Sequence, residues 1–123
     1  MSKKILIVDD EQDLVAATAL RLERNGYEVV KAYDAKEAID AVSREKPDLI
    51  LLDHMLPHSS GLGLLEMFKS FGNAMLTPVV LMTAQTSGDI RKKALAAGAT
   101  DFIAKPVSGE ELLKTIAGIL DKK

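Results

Sequence analysis

A chain of 123 residues with 47% apolar and 28% charged residues has the size and composition of one globular domain, spanning 1–123, that buries about two-thirds of its unfolded surface. A net charge of −2 gives no electrostatic reason for direct nucleic-acid binding, and the lack of cysteine excludes disulfides, thiolate metal sites and cysteine nucleophiles. Nothing approaches the ~18 consecutive apolar residues of a membrane span, and Met1-Ser2-Lys3-Lys4 runs straight into a strand with no apolar signal region, so a cytoplasmic protein without a membrane role is expected.

In chain order, the pattern predicts strands at 4–8, 27–32, 48–53, 78–83 and 101–105, alternating with helices at 12–25, 35–45, 61–72, 87–97 and 108–121. The first helix places Leu14, Thr18 and Leu22 on one stripe and stops at Asn25-Gly26, where glycine accepts a left-handed turn. The second opens with Asp34-Ala35-Lys36-Glu37, a capping-box pattern, and then offers Ala38, Ile39 and Val42 to a core. Gly63 sits early in the third and weakens it by ~0.5–1 kcal/mol relative to alanine. The fourth is alanine-rich and ends at Gly98. The fifth repeats the capping device at Ser108-Gly109-Glu110-Glu111 and carries Leu112, Ile116 and Ile119 at helical spacing.

The strands are continuous apolar runs, as burial on both faces requires. Strict alternation with short loops predicts a doubly wound α/β fold: a five-stranded parallel sheet, flavodoxin-like, with helices on both faces. Four strands stop at a polar residue: Ile5–Val8 at Asp9-Asp10, Leu49–Leu52 at Asp53, Val79–Met82 at Thr83, and Phe102–Ala104 at Lys105. The second strand, Tyr27–Ala32, stops without one and is therefore placed at the outer edge, giving order 2-1-3-4-5.

Parallel strands bring like ends to one edge, where such sheets bind ligands. Three carboxylates, a hydroxyl and an ammonium then meet. Clustered carboxylates repel one another and suit a hard divalent cation such as Mg2+. Asp53, closing the most apolar strand, is the candidate nucleophile, with Asp9 and Asp10 beside it to hold the ion. Thr83 and Lys105 suit the oxygens of a phosphoryl group. Carboxylate attack on phosphorus gives an acyl phosphate, a labile bond fit for a temporary signal.

These residues lie within KILIVDDE (4–11), PDLILLDHMLP (47–57) with Gly61, VVLMTA (79–84) and GATDFIAKP (98–106). Together they resemble the response-regulator receiver domain of two-component signalling, over essentially the whole chain. The resemblance implies that Asp53 accepts a phosphoryl group from a phosphohistidine on a sensor histidine kinase or phosphotransfer protein. It implies that Asp10, Asp53 and the backbone carbonyl of Met55 bind Mg2+ directly, with Asp9 acting mainly through water. It also implies a cis peptide before Pro106 that aims Lys105 inward. Thr83 would then move toward the phosphoryl group and admit Phe102, reshaping the face of the fourth helix, fifth strand and fifth helix for a downstream effector. On this reading the chain is a switch, not a turnover enzyme.

The chain departs from the family around the loop after Asp53. Ser59-Ser60 stand where many relatives have an acidic residue before the glycine, and Phe102 lacks the hydroxyl of the tyrosine often found there. Met55 and Gln85 occupy positions that influence acyl-phosphate lifetime in the family. His54 and His58 flank the site; strand alternation turns His54 away from Asp53, and solvated or structural roles are the commoner ones for both. Three other classes share parts of this pattern: a Mg2+-dependent phosphatase with an aspartate nucleophile, a flavin- or nucleotide-binding domain, and a receiver-fold docking module that is never phosphorylated. The phosphatase family needs an aspartate where Met55 stands. Negative charge at 9–13 opposes phosphate binding by the first loop. The complete polar set speaks against a mere docking module.

Overall fold

The computed structural model describes residues 2–70, 74–84 and 88–121. Its main sheet is built from β1 (Lys4–Val8), β2 (Glu28–Ala32), β3 (Leu49–Asp53), β6 (Val79–Thr83) and β7 (Asp101–Ala104). All neighbours are parallel, in order β2-β1-β3-β6-β7. This is the expected order 2-1-3-4-5, with β6 and β7 as the fourth and fifth long strands. Between β3 and β6 lies a hairpin that the apolar pattern did not show: β4 (Met55–Leu56) pairs antiparallel with β5 (Ser59–Ser60). A ladder this short leaves no period in the sequence.

The helices are α1 (Gln12–Arg24), α2 (Ala35–Glu45), α3 (Gly61–Ser70), α4 (Gly88–Ala96) and α5 (Gly109–Leu120). The predicted ends of the third helix at 71–72 and of the fourth at 87 lie outside the described residues. Asp34 caps α2 by accepting the Glu37 N–H at 2.8 Å, and Ser108 caps α5 by accepting the Glu111 N–H at 3.1 Å. The Glu37 carboxylate reaches back to the N–H of Tyr33 instead of that of the capping residue. At the end of α1, Gly26 has φ +92, and the N–H groups of Gly26 and Tyr27 close onto the carbonyls of Glu23 and Leu22.

Alternation along the strands divides the interior into two cores. Leu6, Val8, Ile50, Leu52, Val79 and Leu81 meet α2, α3 and α4 on one face. Ile5, Ile7, Leu49, Leu51, Val80 and Met82 meet α1 and α5 on the other. Two predicted helix faces shift in phase. In α1 the buried stripe is Val15, Ala19 and Leu22, and Leu14 is 40% exposed. In α2 it is Ala38, Ala41 and Val42, and Ile39 is 42% exposed. Alanine and valine make up most of the sheet-facing positions in both helices, with Leu22 closing the stripe in α1, while Leu14 and Ile39 ride on the flanks.

The helices are held unequally. Burying a large apolar side chain stabilises by about 1.5–3 kcal/mol. The third helix buries Leu64, Leu65 and Phe68, whereas α4 buries only Ile90 and Ala94. The fourth helix therefore has the weaker grip on the sheet.

Candidate functional site

Among the described residues, the buried polar or charged side chains are Asp9, Asp53 and Thr83, at 1%, 6% and 1% exposure. Burying such groups is unfavourable unless they are paired, and all three lie at the carboxyl edge of the sheet. Asp9 follows β1 directly, and its N–H bonds to Ala32 of β2 at 3.1 Å, so strand pairing continues into the site. Asp53 and Thr83 are the last residues of β3 and β6.

Lys105 closes the cluster from the loop after β7. Its N–H bonds to the Thr83 carbonyl at 2.8 Å, and the Lys105–Pro106 peptide is cis, as the resemblance implied. The ammonium lies 2.7 Å from Asp9 Oδ2, 3.2 Å from Asp53 Oδ1 and 3.9 Å from Glu11 Oε1. The other oxygen of Asp9 accepts the Glu11 N–H at 3.0 Å. Asp10 is exposed, yet one oxygen from each of Asp9, Asp10 and Asp53 falls within a 4.8 Å cluster. Glu11 is a further carboxylate at the site, and its place in Asp9-Asp10-Glu11 is the signal that marks it in the sequence.

Burial pushes the Asp53 carboxyl above its ordinary range, and the charge of Asp9 pushes it further; Lys105 and a bond from the Met55 backbone oppose the rise. For Lys105, burial works against the charge, but the bond to Asp9 and the attraction of Asp53 and Asp9 outweigh it and raise the ammonium. Three carboxylates facing one ammonium leave the cluster two charges negative. An all-oxygen donor set with surplus negative charge fits a hard divalent ion.

The cleft above the cluster, about 380 Å³, is lined by Asp10, Glu11, Asp53, Met55, Leu56, Pro57, Ala84 and Lys105. A larger cavity of about 520 Å³ adjoins it between α1 and the start of α5, takes in Asp9, and shares Glu11, Ala84 and Lys105 with it. Its other walls are mostly apolar, and Asp10 and Asp53 line the smaller cleft alone. The floor is set by Gly61, whose N–H bonds to the His54 carbonyl at 2.7 Å. A Cβ there would lie 2.9 Å from the Asp53 carbonyl carbon and 2.9 Å from His54 Cα.

The serine pair at 59–60 has a structural purpose: Ser60 Oγ accepts the Gly63 N–H at 2.9 Å and caps the start of α3. His58 occupies the left-handed position of the β4–β5 turn, φ 57. Gln85 lies outside the described residues. Phe102 is half-buried against the core shared with α2, α3 and α4.

Thr83 Oγ1 lies 3.3 Å from His54 Nδ1. Asp53 pairs in register with Met82, so the next pair along is His54 and Thr83. Residues in parallel register share a face, and this one is opposite to that of Asp53. His54 thus faces away from Asp53, as strand alternation predicts, and the register of β3 against β6 sets it beside Thr83.

A family model for the response regulator receiver domain matches residues 5–117. The alkaline phosphatase synthesis transcriptional regulatory protein PhoP of Bacillus subtilis is 38% identical over 120 residues, 98% of this chain and 49% of the relative. The phosphate regulon transcriptional regulatory protein PhoB of Escherichia coli is 37% identical, over 98% of this chain and 52% of its own. The chain thus spans about half the length of the curated relatives it matches. A CheY-like receiver domain protein of Methanospirillum hungatei superposes with a TM-score of 0.92 at 35% identity, covering 98% of this chain and 95% of its own. The beryllofluoride-activated N-terminal receiver domain of Klebsiella pneumoniae RstA superposes with a TM-score of 0.90 at 31% identity, covering 98% and 100%.

Proposed function

Because the chain belongs to the response regulator receiver domain family, we propose that it is a phosphoacceptor switch whose covalent mark is carried by Asp53. One observation carries this reading: the buried polar side chains among the described residues are a nucleophile candidate and its immediate neighbours. Asp9, Asp10 and Asp53, with the Met55 backbone carbonyl, would hold a Mg2+ ion. When bound, that ion supplies the positive charge that lets phosphoryl oxygens approach the carboxylates.

An Asp53 oxygen forms the new P–O bond as the P–N bond of a donor phosphohistidine breaks, and the leaving imidazole keeps the electron pair. Asp9 and Glu11 hold the Lys105 ammonium at the edge of the cleft, where it pairs with a phosphoryl oxygen. Thr83 donates its hydroxyl to another. Its movement away from the face it shares with Phe102 shifts the packing of α4, β7 and α5, and the lightly anchored α4 is the element most ready to follow. The donor is a sensor histidine kinase or phosphotransfer protein in the cytoplasm, and the reader is an effector protein or domain. The protein is a stoichiometric acceptor, at most catalysing its own phosphorylation and dephosphorylation. RstA's receiver is described as activated by beryllofluoride, which supports the same chemistry here.

Incubation with acetyl phosphate and Mg2+, followed by intact mass measurement, tests the proposal. One phosphoryl adduct is expected, absent in Asp53→Asn and in excess chelator. No adduct on the wild type, or an adduct that survives in Asp53→Asn, refutes it.

A further inference from the structure

We propose that His54 is a positioning residue that holds the Thr83 hydroxyl in the unphosphorylated protein and so sets how readily the domain switches. The inference rests on the phosphoacceptor reading for its consequence, but its geometry stands apart from it. The imidazole and the hydroxyl are register partners on the face of the sheet opposite the acidic cluster, 3.3 Å apart.

The backbone fixes the ring's origin from both sides. The His54 N–H bonds to the Met82 carbonyl at 2.9 Å, and the His54 carbonyl accepts the Gly61 N–H at 2.7 Å. The side chain is half-buried, so the ring has little room to leave Thr83. With Nδ1 as the acceptor, Thr83 gives its single hydroxyl proton to His54. That proton cannot at the same time be given to a phosphoryl oxygen on the other side of the sheet edge. Switching therefore exchanges one hydrogen bond for another, and the bond to His54 draws the equilibrium toward the resting state. An alkyl or aryl side chain at this position offers no such competitor.

An ordinary hydrogen bond at stake predicts roughly two- to tenfold tighter binding of the phosphoryl mimic when it is removed. The probe is beryllofluoride with Mg2+, titrated against wild type, His54→Phe, Thr83→Val and the double variant. His54→Phe keeps an aromatic ring without the nitrogen and is expected to bind more tightly by that factor. In the Thr83→Val background the same change should have no effect, because the hydroxyl it acts through is gone. His54→Asn, whose amide oxygen replaces the acceptor, should restore affinity to near the wild-type value.

A second readout needs no phosphoryl chemistry. In the ligand-free protein, three-bond NMR couplings should show the same Thr83 rotamer populations in the wild type and in His54→Asn, and shifted populations in His54→Phe. Ring 15N shifts should show Nδ1 of His54 unprotonated. A gain in affinity that persists without the Thr83 hydroxyl, or Thr83 couplings unchanged in His54→Phe, overturns the proposal. A wild type that takes neither beryllofluoride nor a phosphoryl group refutes the phosphoacceptor reading instead, and the couplings still decide the role of His54.

Discussion

Alanine at Gly61 drives a methyl group into backbone at the floor of the acidic cleft. Its Cβ would sit 2.9 Å from both the Asp53 carbonyl carbon and His54 Cα, and nearer still to the Asp53 carbonyl oxygen. Carbon atoms pack best at about 3.5–4.0 Å, so the chain on one side must move by several tenths of an ångström or more. Neither side can give cheaply. Asp53 is tied into β3 beside β6, and Gly61 donates to the His54 carbonyl. Overpacking costs about 1–3 kcal/mol where side chains can adjust; with backbone on both sides the upper end, ~3 kcal/mol, is expected. With a urea slope of about 1.5 kcal/mol per molar, the unfolding midpoint should fall by about 2 M. Phosphoryl uptake from acetyl phosphate should fall with it, since the same displacement moves Asp53. Gly118→Ala is the control: nothing lies within 4 Å of its Cβ in α5, and it should stabilise by ~0.5–1 kcal/mol. A Gly61→Ala midpoint within about 0.5 M of wild type, with uptake unchanged, would refute the steric argument.

Lys105→Ala strips the internal counter-ion and leaves Asp9 facing Asp53. It should destabilise the metal-free protein by about 3 kcal/mol, and millimolar Mg2+ should recover most of the loss; urea midpoints with and without Mg2+ measure both, and a loss that Mg2+ leaves untouched refutes the charge argument. Asp53 is held above the ordinary carboxylate range by burial and by Asp9, so its contribution to stability is full below that range and is lost as pH rises through its raised folded value. Metal-free Asp53→Asn should accordingly unfold at higher urea than wild type at pH 7, with the difference vanishing in acid; a less stable variant at pH 7 contradicts the sign. His58→Gly relieves a left-handed residue at φ 57 and should stabilise by roughly 0.5–1 kcal/mol while phosphoryl uptake stays as it was; impaired uptake would give His58 a chemical role.

The strand ends were legible in the sequence because burial on both faces leaves no place for a polar residue until the sheet stops. Asp9, Asp53, Thr83 and Lys105 therefore stood out as punctuation, and the fold brought them together. The helix faces were less legible. Leu14-Thr18-Leu22 and Val15-Ala19-Leu22 are overlapping stripes of equal period, and nothing local tells which one meets the sheet. Close approach of α1 and α2 to the strands selects alanine and valine, and moves Leu14 and Ile39 to the flanks. The β4–β5 hairpin was invisible, being made by a Pro57-His58 turn and two residue pairs. The His54–Thr83 contact needed only the register of β3 against β6, which sequence does not state.

Asp53 and His54 are adjacent in the chain, yet one side chain faces the acidic cleft and the other faces Thr83 across the sheet. The thickness of a single strand separates them. Substitutions under α1 and α5 therefore change the packing on the face that carries Asp53, and substitutions around Phe102 change the packing on the face that carries Thr83. The two faces can be repacked in separate steps, with the Asp53 carboxylate left in place as the fixed point between them.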